Sequence, residues 1–239
     1  MFLTSYFLEN DNGVSFSRKQ ASDFAKNVAN DFNPIHDIDA KRFCVPGDLL
    51  FSILLFKQGL SQNMRFEFSG MVTEDISLTI PTSCETESVI CGSNGKEYLS
   101  VHRSGANTTN PEIIECLIKQ YVAFSGQTFP HILVPLMEKH DVMINPSRPF
   151  VVYESMEIDF SHMEFSSLSL EMSNVELDVV GKRGNASFRF DLIEDNRIIG
   201  TGVKNMVLSG LRAYEQKNID HLVNIYNTAK LNHTHSIVV

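Results

Sequence analysis

The chain has 239 residues and a mass of 26.9 kDa, and 43% of its residues, including 17 Phe, are hydrophobic. This composition supplies the apolar side chains of a folded core and excludes a wholly disordered chain. The 20 Lys and Arg against 29 Asp and Glu give a formal net charge of −9, which disfavours binding to nucleic acid or to an anionic membrane surface.

The sequence also lacks the usual signals for membrane insertion and for secretion. The most apolar run, residues 49–56, is far shorter than the roughly 20 residues of a transmembrane helix. The first residues contain Glu9 and Asp11 but no Lys or Arg, unlike a signal peptide. Four cysteines lack the C-x-x-C spacing of zinc and redox sites: Cys44, Cys84, Cys91 and Cys116. We therefore expect a cytoplasmic protein with reduced thiols, no metal and no membrane partner.

Two helices are predicted near the start of the chain. Ser17 and Gln20 have the spacing of a capping box, and the apolar periodicity after them predicts a helix that ends near Ala29. Residues 46–59 predict a second helix, which is apolar on nearly every side. A helix without a polar face belongs in a protein interior, and a curved sheet wrapped around it would provide one.

Alternating apolar and polar residues predict the strands of the first part. They cover residues 64–68 and 76–80, and Asn94-Gly95 predicts a tight hairpin turn of type I′ further along. A polar break follows at residues 106–112.

In the second part of the chain a predicted helix is again followed by predicted strands. Asn110 and Pro111 have the residue types of a helix start, and the predicted helix continues to about Ser125. A broken helix is expected over residues 129–140, and an amphipathic helix containing Tyr226 closes the chain before a frayed tail from about Asn232. The strands expected between them cover residues 156–160, 168–172, 175–179 and 186–190.

The two strand regions are related by a shift of 92 residues. Seven identities occur over the 29 positions from 64 to 92, and the inward positions of the first two strands fall on inward positions of the second set. A register error of one residue would have inverted that pattern. We therefore predict an α+β protein with two similar halves, residues 1–108 and 109–239.

The most distinctive local pattern is Asp31-Phe32-Asn33-Pro34-Ile35-His36. A proline-stiffened turn can direct the carboxylate of Asp31 and the imidazole of His36 into one cleft, where both could polarise the same water. In the structural alternative, Asp31 ends the preceding helix and His36 hydrogen-bonds to a loop carbonyl.

Residues 24–50, FAKNVANDFNPIHDIDAKRFCVPGDLL, resemble the hydratase motif of MaoC-like proteins. That family includes (R)-specific enoyl-CoA hydratases with the hot-dog fold, in which a curved antiparallel sheet wraps a long helix. Some of its members are fused double hot dogs. The resemblance therefore implies a double hot-dog fold, with two sheets merged and each wrapped around an apolar helix.

The resemblance also implies roles for individual residues. Asp31 and His36 would activate water, Asn33 would hold the turn, and the N–H of Gly47 or Asp48 would polarise the thioester carbonyl at a helix N-terminus. The substrate would be a trans-2-enoyl thioester of coenzyme A or acyl carrier protein, with no further cofactor. The sequence departs from the family pattern at Pro46-Gly47-Asp48, where His-Gly-Met is usual, and in the short spacing from His36.

Three alternatives remain at this point. Asp48 resembles the catalytic acid of hot-dog thioesterases, although an acid in the first helical turn also simply complements the helix dipole. Cys44 could serve as a nucleophile if His36 acted as its base. The chain could also be a non-catalytic protein that binds an acyl thioester, and either a monomer or a homodimer fits a double hot dog.

Overall fold

The computed structural model describes residues 2–81 and 85–237, so Cys84 lies outside the described residues. The α-helices in these ranges are α1, Arg18–Asn27; α2, Gly47–Gln58; α3, Pro111–Ser125; α4, Leu133–Lys139; and α5, Gln216–Ile237. Short helical turns occupy Phe2–Ser5, Pro34–His36 and Thr128–Ile132.

The strands are numbered in chain order. They are β1, Leu8–Asn10; β2, Gly13–Ser15; β3, Leu60–Phe68; β4, Leu78–Thr79; β5, Glu87–Gly92; β6, Glu97–Thr108; β7, Val142–Met143; β8, Val151–Phe160; β9, Ser169–Val180; β10, Arg183–Glu194; β11, Arg197–Ser209; and β12, Arg212–Ala213. The expected α+β class is confirmed in this form: a large antiparallel sheet combined with helices.

One sheet contains ten of the strands, in the order β1-β2-β4-β5-β6-β3-β8-β11-β10-β9, while β7 and β12 form a separate pair. At its centre β3 pairs with β8, with Met64 opposite Ile158. Outward from this centre the order is β3, β6, β5, β4 on one side and β8, β11, β10, β9 on the other. Helix α2 directly precedes β3, whereas α4 and β7 lie between α3 and β8. The division at residue 108 falls between β6 and α3 and stays a prediction.

Helix α2 is the centre of the main hydrophobic core, as its composition predicts. Its apolar residues are buried on every side, and the ring of Phe51 contacts the rings of Phe66 on β3 and Tyr121 on α3. Phe160 and Phe190 belong to the same core. Both parts of the chain therefore contribute to the packing around this one helix. In the part of the chain that the structure describes, no helix has both the length and the apolar character to cross a membrane.

Helix α1 begins with the capping box that the sequence predicts. The N–H of Gln20 donates to Ser17 Oγ at 3.2 Å, and the N–H of Ser17 donates to Gln20 Oε1 at 3.0 Å. The helix ends at Asn27, two residues earlier than Ala29.

Loss of this cap should destabilise the protein measurably. We expect Ser17→Ala to lower the free energy of unfolding by about 1 kcal/mol, because the side-chain acceptor for the first turn disappears. Urea unfolding followed by circular dichroism measures the difference. Ser167→Ala, at an exposed loop position, is the control, and equal midpoints for both variants would contradict the role of the cap.

Most strand boundaries differ from those predicted. Strands β3 and β8 begin earlier than residues 64 and 156, and β10 is longer than residues 186–190 at both ends. Strand β4 is confined to Leu78–Thr79, because the N–H of Ile76 donates into a turn at Thr73 O and Pro81 has no N–H. Strand β6 continues through Thr108 into the expected polar break. Its last residues are largely exposed, so a polar sequence there is compatible with a strand.

The predicted strands 168–172 and 175–179 are parts of a single strand, β9, which begins at Ser169, one residue after the predicted start. Arg189 pairs with Asn174 and Phe190 with Met172, so Ser173 is an extra residue in the ladder. A β-bulge of this kind reverses the alternation of side chains. It explains why the apolar residues change from even to odd positions within one strand.

Strand β11 was not predicted from the sequence. It follows a tight turn in which Asp195 has φ of 48° and Asn196 has φ of 61°, the two positive values of a type I′ hairpin. At the turn where type I′ was predicted, Gly95 has a positive φ of 77°, whereas Asn94 is not among the residues with positive φ. The hairpin between β5 and β6 is confirmed, but its predicted turn type is wrong.

The expected frayed tail is also wrong, because α5 continues to Ile237. The helix packs on the motif turn. The hydroxyl of Tyr226 donates to Asn30 O at 3.1 Å, and the Tyr226 ring meets Phe32 edge to face. His233 Nε2 lies 2.7 Å from Asn27 Oδ1. These contacts provide tertiary packing for the last turns.

Candidate active site

The motif residues form a short turn whose shape is fixed by side-chain-to-backbone hydrogen bonds. Asp31 Oδ1 accepts the N–H of Asn33 at 2.9 Å, and Asn33 Oδ1 accepts the N–H of Ile35 at 3.2 Å. Asn33 is thus the cap of the helical turn that begins at Pro34. This pattern of Asx turns is a local consequence of the sequence, because Asn and Asp side chains readily replace backbone acceptors.

The turn brings Asp31 and His36 together. His36 Nε2 lies 3.8 Å from Asp31 Oδ2, and the two side chains are 13% and 25% exposed, respectively. This distance is too long for a direct hydrogen bond but short enough for one water to bond to both atoms. Both groups therefore face a common position that solvent can reach.

The other nitrogen of the ring settles the tautomer of His36. Its Nδ1 lies 2.7 Å from the carbonyl oxygen of Cys44. A carbonyl only accepts, so Nδ1 carries the proton, and in the neutral ring Nε2 has the free lone pair. The structural alternative for His36 describes this nitrogen correctly, yet the second nitrogen is directed at Asp31.

The geometry does not favour Cys44 as a nucleophile. Its thiol donates to Val45 O at 3.3 Å, and burial raises the pKa of the thiol to about 12. A thiol with such a pKa is not ionised near neutral pH. Its carbonyl, and not its sulfur, is the group that contacts His36.

Gly47 and Asp48 are the first two residues of α2, where N–H groups have no acceptor within the helix. Gly47 lies in close contact with an aromatic ring: a Cβ there would come within 2.8 Å of Tyr153 Cδ1. The helix start is therefore held against β8 of the second part of the chain.

The carboxylate of Asp48 enters a buried polar network. Ser125 Oγ donates to Asp48 Oδ2 at 2.7 Å, and Lys204 Nζ donates to Ser125 Oγ at 2.6 Å. Asp48 Oδ1 is buried and has no hydrogen-bond partner within the described residues. Burial raises the pKa of Asp48, the Lys204 charge and the Ser125 hydrogen bond lower it, Asp31 raises it and His36 lowers it. The motif pair is thus within electrostatic range of Asp48.

Two tyrosines complete the network. The hydroxyls of Tyr121 on α3 and Tyr153 on β8 are hydrogen-bonded to each other, and Lys204 Nζ lies 4.4 Å from the centre of the Tyr153 ring. Burial is the main cause that raises the pKa of both tyrosines well above its usual value. Both therefore remain neutral hydroxyl groups.

Sequence reasoning missed four residues of this network: Tyr121, Ser125, Tyr153 and Lys204. Ser125 had a usable signal, because it lies four residues after Tyr121 on the apolar face of a predicted helix. Lys204 pairs across the sheet with Met156 and Phe188, both of them buried. Strand pairing places it inside the protein, but β11 had not been predicted. Across residues 2–81 and 85–237, no group of three or more His, Cys, Asp and Glu side chains is arranged to hold a metal ion.

Solved structures with some similarity to this chain include three proteins described as thioesterases. A thioesterase II from Thermobifida fusca YX is 8% identical, with a TM-score of 0.38, over 70% of this chain and 87% of that one. An acyl-CoA thioesterase II from Mycobacterium marinum is 7% identical, with a TM-score of 0.39, over 71% and 91%. An oleoyl thioesterase from Lactobacillus plantarum is 8% identical, with a TM-score of 0.37, over 86% and 93%.

At these identities and TM-scores the three likenesses carry no argument about function. The comparison with curated proteins found no match. A family match covers residues 1–217, and the chain therefore belongs to the family described as "Protein of unknown function (DUF3581)".

Proposed function

We propose that this protein is a MaoC-like double hot dog that adds water reversibly to a trans-2-enoyl thioester, with the (R)-specificity that the resemblance implies. The carrier of the acyl group is coenzyme A or acyl carrier protein. The observation that carries the proposal is the motif pair: His36 Nδ1 is anchored on Cys44 O while Nε2 lies 3.8 Å from Asp31 Oδ2.

The arrangement suits acid–base chemistry on one water. Asp31 and His36 bind the water between them, and Nε2 of His36 takes a proton as the water oxygen bonds to C3 of the substrate. Negative charge then develops on the thioester carbonyl oxygen, which the N–H groups of Gly47 and Asp48 would hold at the start of α2. The imidazolium of His36 supplies the proton that C2 takes up, and the site returns to its starting state.

The arrangement of the sheet supports the double hot-dog part of the proposal. The strand order from β3 outward matches the order from β8 outward. Each of these central strands follows a helix that contributes to the main core, α2 directly and α3 with α4 and β7 in between. Only the first part of the chain contains the Asp-x-Asn-Pro-x-His motif, so the proposal places a single working site in the molecule.

Hydrolysis of an acyl thioester by Asp48 is the second candidate. The observation that favours it is the buried and unpartnered Asp48 Oδ1. A carboxylate with a raised pKa and one free oxygen is a competent base for a water that attacks a carbonyl. In this mechanism the thioester bond breaks and a thiol is released.

A single assay separates the two candidates. Purified protein is incubated with crotonyl-CoA or octenoyl-CoA, and the conjugated enoyl absorbance and the free thiol are followed in the same samples. The proposal predicts loss of enoyl absorbance without thiol, and retention of that activity in Asp48→Asn. Thiol release that Asp48→Asn abolishes would transfer the assignment to hydrolysis. A folded protein that gives neither signal would contradict both activities. Thermal stabilisation by the acyl-CoA would then favour a binding protein.

A further inference from the structure

Lys204 is a buried cation whose position is fixed by its neighbours on three elements. It is 6% exposed on β11, its Nζ donates to Ser125 Oγ on α3 at 2.6 Å, and the Tyr153 ring on β8 lies beneath it. Removing an ammonium group from water is costly unless an opposite charge lies nearby. The role of Lys204 therefore depends on which negative charge lies nearest to it.

Asp48 supplies the opposite charge through one bridging hydroxyl. Lys204 can only donate and an ionised carboxylate can only accept, so Ser125 accepts from Lys204 and donates to Asp48 Oδ2 at 2.7 Å. The hydrogen bonds therefore run in one direction, from the second part of the chain to the first. The directions of the pKa contributions agree, because the Lys204 charge lowers the pKa of Asp48 while burial raises it.

The proposed reaction makes this counter-charge necessary. The N–H groups of Gly47 and Asp48 would hold a thioester carbonyl oxygen that becomes negative during hydration. A carboxylate on the same residue opposes that charge in a buried site, where electrostatic interactions are poorly screened. A cation connected to the carboxylate offsets the repulsion.

We propose that Lys204, acting through Ser125, is the positioning residue that compensates the charge of Asp48 beside the thioester carbonyl. This inference rests on the proposed hydration. It gives the second half of the chain, which lacks the motif, a defined task in the site. It also explains how an acidic residue can occupy a position at which an uncompensated negative charge would slow the reaction.

The first test is the pH dependence of hydration in Lys204→Met. Where the pH is low enough for Asp48 to be protonated and neutral, the variant and the wild type should have the same kcat/KM. As the pH rises and Asp48 ionises without its counter-charge, kcat/KM should fall by about tenfold or more relative to the wild type. The double variant Asp48→Asn/Lys204→Met has no carboxylate charge to compensate, so its kcat/KM should not show this decrease at higher pH. An unchanged pH profile in Lys204→Met would overturn the proposal.

The groups that face Asp48 constrain the interpretation of the profile. They are Tyr121 and Ser125 on α3, Tyr153 on β8, Lys204 on β11, and Asp31 and His36 in the motif turn. The comparison of Lys204→Met with Asp48→Asn/Lys204→Met isolates the effect of Asp48, because the other groups that face it are the same in these two variants. Only the Asp48-dependent part should disappear in the double variant.

A second test does not need activity. Asp48 holds its proton more tightly in the folded than in the unfolded chain. Its contribution to the free energy of unfolding, measured against Asp48→Asn, should therefore decrease as the pH rises through the folded pKa and then level off. In the Lys204→Met background this decrease should extend to higher pH, because the charge that lowers the pKa has been removed.

Lys57→Met is the matched control. Like Lys204, Lys57 lies near an aromatic ring, here Phe7. It is half-buried and paired with Glu9, and it lies in the last turn of α2, at the opposite end from Asp48. In Lys57→Met, the Asp48-dependent decrease in the free energy of unfolding should level off at the same pH as in the wild type. If the decrease also levels off at the wild-type pH in Lys204→Met, Lys204 does not compensate the charge of Asp48, and the proposal fails whatever the activity. If the decrease shifts and no hydration is detected, the charge pairing stands and the proposed reaction fails.

Discussion

Asp31→Asn and His36→Ala should each slow the hydration of an enoyl thioester on the order of 10²–10⁴-fold. In the first variant an amide NH2 group replaces the carboxylate oxygen that accepts a hydrogen bond from the bridging water, and in the second Nε2, which takes the proton, is absent. The two groups act on one water, so Asp31→Asn/His36→Ala should be little slower than either single variant. Initial rates of enoyl loss with octenoyl-CoA measure the effect.

Two controls distinguish a loss of catalysis from a loss of folding or of substrate binding. Asp39→Asn, at an exposed position in the loop after the motif, should retain wild-type rates. The Asp31→Asn variant should still bind a saturated acyl-CoA, because an amide oxygen can keep the Asx hydrogen bond of the turn. Thermal stabilisation by the acyl-CoA measures this binding. Reductions smaller than about tenfold in both catalytic variants would assign the pair a structural role.

Gly126→Ala should lower the free energy of unfolding by about 1–3 kcal/mol and disturb the site as well. A Cβ at this position, directly after α3, would lie 1.8 Å from the carbonyl oxygen of Ala29. The clash is with backbone, so the segment that leads into Asp31 must move. Gly126 has φ of −64°, an ordinary helical value, so the loss would be steric and not conformational. Urea unfolding and the enoyl assay measure the two consequences.

Gly184→Ala is the matched control for this overlap. The nearest atoms to a Cβ at Gly184 belong to the ends of the flexible side chains of Leu177, at 3.0 Å, and Leu211, at 3.2 Å. These side chains can adjust, so this variant should lose less stability. A Gly126→Ala protein as stable as the wild type would show that α3 does not hold the motif segment in the described position.

Local patterns predicted the parts of the fold that depend on neighbouring residues. The capping box of Ser17 and Gln20 and the apolar helix α2 are encoded within a few turns of chain. The motif turn is local in the same sense, because Asp31 and Asn33 bond to backbone two residues ahead. The spacing of Asp31 and His36 therefore pointed correctly to two side chains that meet, and the structure adds the tautomer of the ring.

The remaining features depend on residues far apart in the sequence. Ser125 lies 77 residues from Asp48 and 79 residues from Lys204, so no local pattern connects them. The bulge at Ser173 divides one strand into two apparent patterns, and Gly200 and Gly202 interrupt the alternation of β11. Gly202 is required by packing alone, since a Cβ there would come within 2.1 Å of the Phe190 ring. Such requirements become visible only once strand pairing is known.

The most direct measurement of the central claim follows the oxygen of the added water. Octenoyl-CoA is incubated with the protein in water enriched in oxygen-18, and the products are analysed by mass spectrometry. Hydration by Asp31 and His36 places the label in a hydroxyl group at C3 of an intact thioester, and Asp31→Asn should lose most of it. Label found in a free carboxylate, together with released coenzyme A and no labelled hydroxyacyl thioester, would contradict the account.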